Sequence, residues 1–121
     1  MTNTERRKHI RRTISMPCVV RFPSGITISD NTRDISLDGV VVESTSLSDA
    51  DKESISLGEI GLITLKFKKG TVAYSIMAPC QVKHMVANGV GLSVDFIELN
   101  KEELGLLEQM IASGKAEVDS H

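Results

Sequence analysis

Apolar and polar residues alternate along most of this chain. Cys18 to Phe22 is a short β-prone run, and Pro23-Ser24-Gly25 reads as a turn after it. Ile26 and Ile28 alternate with Thr27 and Ser29, and residues 32–36 carry that strand on into Asp34 and Ser36. Gly39 breaks the run, and Val40 to Val42 starts the next strand. Residues 44–53 are rich in Ser, Asp and Glu and read as a loop. Ile63, Leu65 and Phe67 alternate again, and Lys68-Lys69-Gly70 offers a hairpin turn. Val72, Tyr74, Ile76, Ala78, Cys80 and Val82 keep period two through a long strand. Pro79 lies inside it, which calls for an edge position or a bulge. Asn88-Gly89 is a type I′ hairpin signal, with Val90, Leu92, Val94 and Phe96 alternating beyond it.

The period changes near residue 100. Asn100 can cap a helix, and Glu103 completes a capping-box arrangement. Leu104, Leu107 and Ile111, widened by Met110, make one apolar stripe, and Gly114 is a natural stop. The pattern predicts six strands and then one amphipathic helix. Strands joined by short turns favour an antiparallel meander, and closure into a small barrel removes exposed edges. The fold class is therefore all-β with a helix: a small six-stranded antiparallel β-barrel with a C-terminal helix packed on it. The expected organisation is a flexible basic arm over 1–13, a barrel and helix over 14–114, and a disordered tail over 115–121.

At 121 residues, the chain has the length of one domain, long enough for a core without metal or disulfide staples. Cys18 and Cys80 both lie in apolar runs with no motif spacing and read as buried free thiols. The polar start lacks an apolar signal region, and no apolar run nears the ~20 residues of a membrane span. The reading is cytoplasmic. Net charge is −2, yet Arg6, Arg7, Lys8, Arg11 and Arg12 fall within seven residues. A basic arm on a near-neutral body fits a localised anion better than a nucleic-acid polymer. With three Phe, one Tyr and no Trp, the chain also lacks the rings on which single-strand binders stack bases.

Two segments carry candidate chemistry. The first is Arg6-Arg7-Lys8-His9-Ile10-Arg11-Arg12. Each guanidinium is a planar fork of donors that binds phosphate bidentately, meets guanine at O6 and N7, and stacks on purines. A short basic run can equally be a solvated arm. The second is Asp34-Ile35-Ser36-Leu37-Asp38-Gly39. Asp34 and Ser36 are two apart on a strand and share a face. Asp34 accepts only, which suits the N1–H and amino edge of guanine, and Ser36 can donate to phosphate or accept from a base. Gly39 permits positive φ or close ligand approach. The same residues can simply close a turn through side-chain to backbone bonds.

Taken together, in this order on this strand pattern, the segments resemble the PilZ domain, a bacterial receptor module for cyclic di-GMP. Arg7-Lys8-His9-Ile10-Arg11 matches that family's Arg-x-x-x-Arg, and Asp34 to Gly39 matches its [Asp/Asn]-x-Ser-x-x-Gly. Gly89-Val90-Gly91-Leu92-Ser93-Val94-Asp95-Phe96 looks like the family's last strand, and the helix after it also fits. The resemblance implies that Arg7 and Arg11 grip phosphates and guanine Hoogsteen edges, that Asp34 binds a guanine edge, that Ser36 contacts the ligand, and that Gly39 lets the chain pass close to it. Arg6, just before the motif, goes in the family with an intercalated pair of ligand molecules. It further implies a ligand-switched effector that signals to a protein partner, with no metal and no cofactor beyond the ligand. His9 and Ile10 stand where the family often has an aromatic residue.

Catalytic patterns are missing from the sequence. His84 has no visible partner, and no nucleophile elbow, phosphate loop or zinc spacing occurs. The alternative to a nucleotide receptor is a PilZ-like adaptor that binds protein alone, although such modules typically lack one of the two motifs.

Overall fold

The computed structural model describes residues 12–96, 99–113 and 115–116. The chain runs β1 (Arg12–Thr13), β2 (Pro17–Arg21), β3 (Thr27–Ser36), β4 (Gly39–Glu43), α1 (Asp49–Ser54), β5 (Ile60–Lys69), β6 (Val72–Val86), β7 (Gly89–Val94), α2 (Lys101–Ser113) and β8 (Lys115–Ala116). Strands β2, β5, β6, β7, β4 and β3 are neighbours in that order, and β3 pairs back onto β2. This closes the six-stranded antiparallel barrel that the alternation predicts. Every strand of the closed ring has two partners, so closure leaves few backbone groups on an open edge.

Alternation puts one apolar set inside. Val20, Ile28, Ile63, Leu65, Ile76, Val82, Val42 and Val90 are all within 2% of complete burial. Helix α2 closes one side of this core with Leu107 and Ile111, while Leu104, Leu106 and Met110 pack at its margin. Its N-terminus is the reciprocal cap read from the sequence. Asn100 Oδ1 accepts the Glu103 N–H at 2.8 Å, and Glu103 Oε1 accepts the Asn100 N–H at 3.2 Å.

Pro79 is paired with Leu62 of β5 and lies one residue beyond the last β6–β7 pair, Cys80 with Val94. Its carbonyl accepts the Asp95 N–H at 2.9 Å, so the proline stands at the end of the β6–β7 ladder, where a missing donor interrupts little of it.

Four details differ from the sequence pattern. Residues 49–54, within the predicted loop, form α1, capped by Ser48, whose Oγ accepts the Asp51 N–H at 3.1 Å. None of its residues is buried, so it has no apolar stripe to read. Arg12–Thr13 and Lys115–Ala116, placed in the arm and the tail, are short strands. β1 pairs with β3, and β8 pairs with β1. Two residues are too few to show a period. The β6–β7 turn is centred on Ala87-Asn88, not on Asn88-Gly89. Val86 pairs with Gly89, and Asn88 alone has positive φ, at 56°. Gly89 opens β7 because a Cβ there would meet the Val42 carbonyl at 3.1 Å. Gly39, finally, lies in strand β4 and makes no use of positive φ.

Both thiols face the interior. Burial pushes Cys18 up to about 12, helped by the Asp30 carboxylate nearby, and burial pushes Cys80 up to about 11. The folded chain therefore holds these protons more tightly than the unfolded chain. The stability this contributes is complete below 9.0, the ordinary thiol value, and is lost as pH rises toward 11 to 12. At pH 8 a thiol reagent should label the native protein at least ~100-fold more slowly than the protein in guanidinium, since the thiolate is the nucleophile. Comparable native and denatured rates, followed spectrophotometrically, would contradict the interior placement.

Candidate functional site

The site is built by a change of face within β3. Ile28 and Thr32 point into the barrel, opposite Val20 and Val42. The register then slips by one residue between Thr32 and Asp34, leaving Arg33 as the extra residue of a bulge. Beyond the slip Ile35, paired with Val40, is the core residue. Asp34, paired with Val41, and Ser36, paired with Gly39, therefore face outward. They are nonetheless shielded, with Asp34 6%, Ser36 1% and Val41 6% exposed.

Arg33 is held where the bulge throws it. Its Nε donates to Glu43 Oε2 at 2.6 Å, and its Nη2 donates to the carbonyls of Ala87 and Asn88 at 3.0 and 3.2 Å. One guanidinium thus ties β3 to the end of β4 and to the β6–β7 turn. Thr32 does similar work on the other edge. Its Oγ1 accepts the Met16 N–H at 3.0 Å and donates to the Ile14 carbonyl at 2.5 Å. That pair of bonds carries the chain from β1 to β2 while both remain on the same edge of β3.

A second bulge mirrors the first. The β6–β7 register shifts between Val82 and His84, so that His84, paired with Gly91, faces outward. Two cross-strand rows follow on the outer face. One runs Asp34, Val41, Gly91, His84, and the other runs Ser36, Gly39, Ser93, Gln81. The floor between their ends is low, because Gly39, Gly89 and Gly91 hold outward positions on β4 and β7. The imidazole of His84 lies across this floor. A Cβ on Gly91 would come within 2.4 Å of its Cε1 and Nε2. Strand spacing of about 4.8 Å puts Asp34 and Gly91 roughly 10 Å apart, which is of the order of a nucleotide.

The motif turn closes on itself. Ser36 Oγ donates to Asp38 Oδ1 at 2.6 Å and accepts the Asp38 N–H at 3.4 Å. The Asp38 carbonyl accepts the Val94 N–H at 3.1 Å, which fastens the turn to β7. Ser36 therefore closes the turn through its side chain, and it stands on the outer face beside Gly39.

Asp34, Ser36 and Gly39 are brought together. Arg6, Arg7 and Arg11 lie outside the described residues. The described chain begins at Arg12, which is paired with Ile35, and Thr13 is paired with Asp34 itself. The basic segment is therefore joined to the barrel one residue from the acid of the second motif. His84, Ser93 and Gln81 were not read as site residues. The signal for them was the spacing of Gly89 and Gly91, which leaves two outward positions of one strand without side chains. Among the described residues no group of three His, Cys, Asp or Glu side chains could hold a metal ion, and no helix is long and apolar enough to cross a membrane.

With this geometry in hand, comparison with known proteins is specific. The PilZ domain model matches residues 5–113, and the chain belongs to the PilZ domain family. No curated protein matches the sequence. Among solved structures, the Bacillus subtilis inhibitor of motility, MotI/DgrA, superimposes with a TM-score of 0.70 at 17% identity, over 88% of this chain and 49% of that one. The chain thus spans about half the length of that protein. The PilZ domain of YcgR from Escherichia coli, solved with c-di-GMP, gives 0.65 at 13% identity, over 89% and 90% of the two chains. The PilZ domain of CeSA from a cellulose-synthesizing bacterium gives 0.57 at 14%, over 84% and 95%. At these identities the likeness establishes the fold.

Because Ser36 is 1% exposed and makes the turn's side-chain bonds, Ser36→Ala should lower unfolding stability by about 1 kcal/mol. A urea midpoint equal to that of the parent protein would show that the turn closes without it.

Proposed function

We propose that this chain is a receptor for cyclic di-GMP. It acts without catalysis, as a ligand-switched effector on a protein partner, in the bacterial cytoplasm where that messenger is made. The observation that carries the reading is the β1–β3 pairing. It sets Arg12 and Thr13, the described end of the Arg-rich segment, beside Ile35 and Asp34 of the second motif, which supports one site built from both. Family membership and the fold shared with a PilZ domain solved with c-di-GMP support the same reading.

The roles follow from chemistry. Arg7 and Arg11 supply bidentate, charge-assisted bonds to phosphates and to guanine Hoogsteen edges. Asp34 accepts from a guanine N1–H and amino edge, in shielded surroundings where each such bond is worth more than in water. Ser36 contacts the ligand beside the turn it closes, and Gly39 keeps the floor low. Arg6 adds a cation that a second, intercalated ligand molecule would use. Before binding, the like charges of Arg6, Arg7, Lys8, Arg11 and Arg12 oppose one another. Ligand phosphates neutralise them and hold the segment against the barrel, and this changes the surface shown to a partner. The switch lies in that differential contact.

One observation favours a second reading. Ser36 already has its hydrogen bonds within the turn, as a purely structural Asp-x-Ser-x-x-Gly element would. An adaptor that binds protein but no nucleotide would need nothing more from it.

Calorimetric titration with cyclic di-GMP at physiological salt decides between the two. The parent chain should bind, and Arg7→Ala, Arg11→Ala and Asp34→Ala should each lose roughly 2 kcal/mol or more of binding free energy. Two ligands per chain would assign Arg6 its role, and one per chain would remove it. No heat from the parent chain would leave the adaptor reading.

A further inference from the structure

We propose that the free edge of β5, from Lys66 to Lys69, is a docking site for an extended acidic segment of a partner protein. The segment would add as a further strand. β5 pairs with β6 along its whole length, but β2 covers its other edge only from Leu62 to Leu65. β2 stops at Pro17, which has no N–H to offer. Among the described residues, no strand pairs with Lys66, Phe67, Lys68 or Lys69 on that side. The backbone donors and acceptors there are a template for strand addition.

A cavity of about 540 Å³ lies along the same edge, lined by Pro17, Phe67, Ala73 and Tyr74, with Lys66 and Lys68 beside them. Phe67 and Tyr74 stack with ring centroids 5.7 Å apart and form an apolar wall. Side chains of an added strand would alternate between two settings. Those beside Lys66 and Lys68 meet exposed ammonium groups, and the one between them meets the cavity at Phe67. The edge therefore selects an acidic, apolar, acidic alternation.

Charge decides the occupant. Residues 60–86 contain four lysines and no Asp or Glu, in a chain whose net charge is −2. Lysines on an edge deter a second copy of that edge, because like charges would face each other. The same repulsion applies to the chain's own Arg6–Arg12 segment. Lys69 is turned instead to α2, where its Nζ donates to Gln109 Oε1 at 2.6 Å, leaving Lys66 and Lys68 for the partner. The proposal does not depend on nucleotide binding, so it can fail or stand separately.

The probe is an acetylated, amidated peptide, Ser-Glu-Val-Glu-Val-Glu-Ser, with the same peptide carrying Lys for Glu as its control. The acidic peptide should bind and slow amide exchange at Lys66–Lys69. Affinity should fall roughly tenfold or more in Lys66→Glu/Lys68→Glu, and partly in Lys66→Gln/Lys68→Gln. Both substitutions are at exposed positions, and circular dichroism would confirm that they leave the fold intact. N-methylation of the peptide's valines should abolish binding. Unchanged exchange at the edge, or equal binding of the basic peptide, would overturn the proposal. Binding to phosphatidylserine vesicles without the peptide effect would also overturn it. So would self-association that disappears on deleting residues 117–121, which include Glu117, Val118 and Asp119.

Discussion

The candidate site depends on one extra residue in β3. Side chains on a strand alternate with a period of two, so a slip of one residue moves every later side chain to the other face. Without the bulge at Arg33, Asp34 and Ser36 would follow Ile28 and Thr32 into the barrel, and Ile35 would be put outside. A carboxylate in that interior would have to be paired or protonated. With the bulge, Ile35 fills the core opposite Val40, and the two polar residues stand on the outer wall. The Arg33 side chain anchors the bulge through its bonds to Glu43 and to the carbonyls of Ala87 and Asn88.

The bulge at Lys83 in β6 repeats this device across the barrel wall. There the interior series of Ile76, Ala78, Cys80 and Val82 ends, and His84 turns out toward Gly91. The two bulges flank the β4–β7 pair, whose outward positions include three glycines. Each glycine forgoes packing and adds chain entropy to the unfolded state. Val41 and Ser93 stand among them on the same face, so the wall is lowered at the glycines and not throughout. Close approach also serves the fold at Gly61, where a Cβ would meet the Arg21 carbonyl and the Phe22 ring at 2.9 Å. Gly91 differs, because what lies over it is the exposed, movable ring of His84.

The barrel was legible because each of its strands is long enough to show its period against a single core. The helix α2 was legible through its stripe and its cap. Elements that bury little left no such trace: α1, with no buried residue, and β1 and β8, at two residues each. The site was legible as residue types in order, but the face on which they stand was not drawn from the pattern. The information was present, since Ile28 and Ile35 are seven residues apart and cannot share a face of an unbroken strand. An odd spacing between two core residues of one strand implies a bulge between them. The dipeptide Asn88-Gly89 marks the right hairpin but not its register, since Val86 pairs with Gly89 and the turn residues are Ala87 and Asn88.

The closed barrel also separates what must stay fixed from what is left to respond. Closure engages both edges of most strands, and the Thr32 bonds hold the chain between β1 and β2 against β3. Asp34 and Ser36 therefore stand on a wall that has no low-cost alternative register. β1 makes two pairs with β3 and two with β8, fewer than any barrel strand makes with its neighbours. The barrel wall that carries Asp34 and the short strand β1 thus meet at the Thr13–Asp34 pair, one residue from the first described arginine.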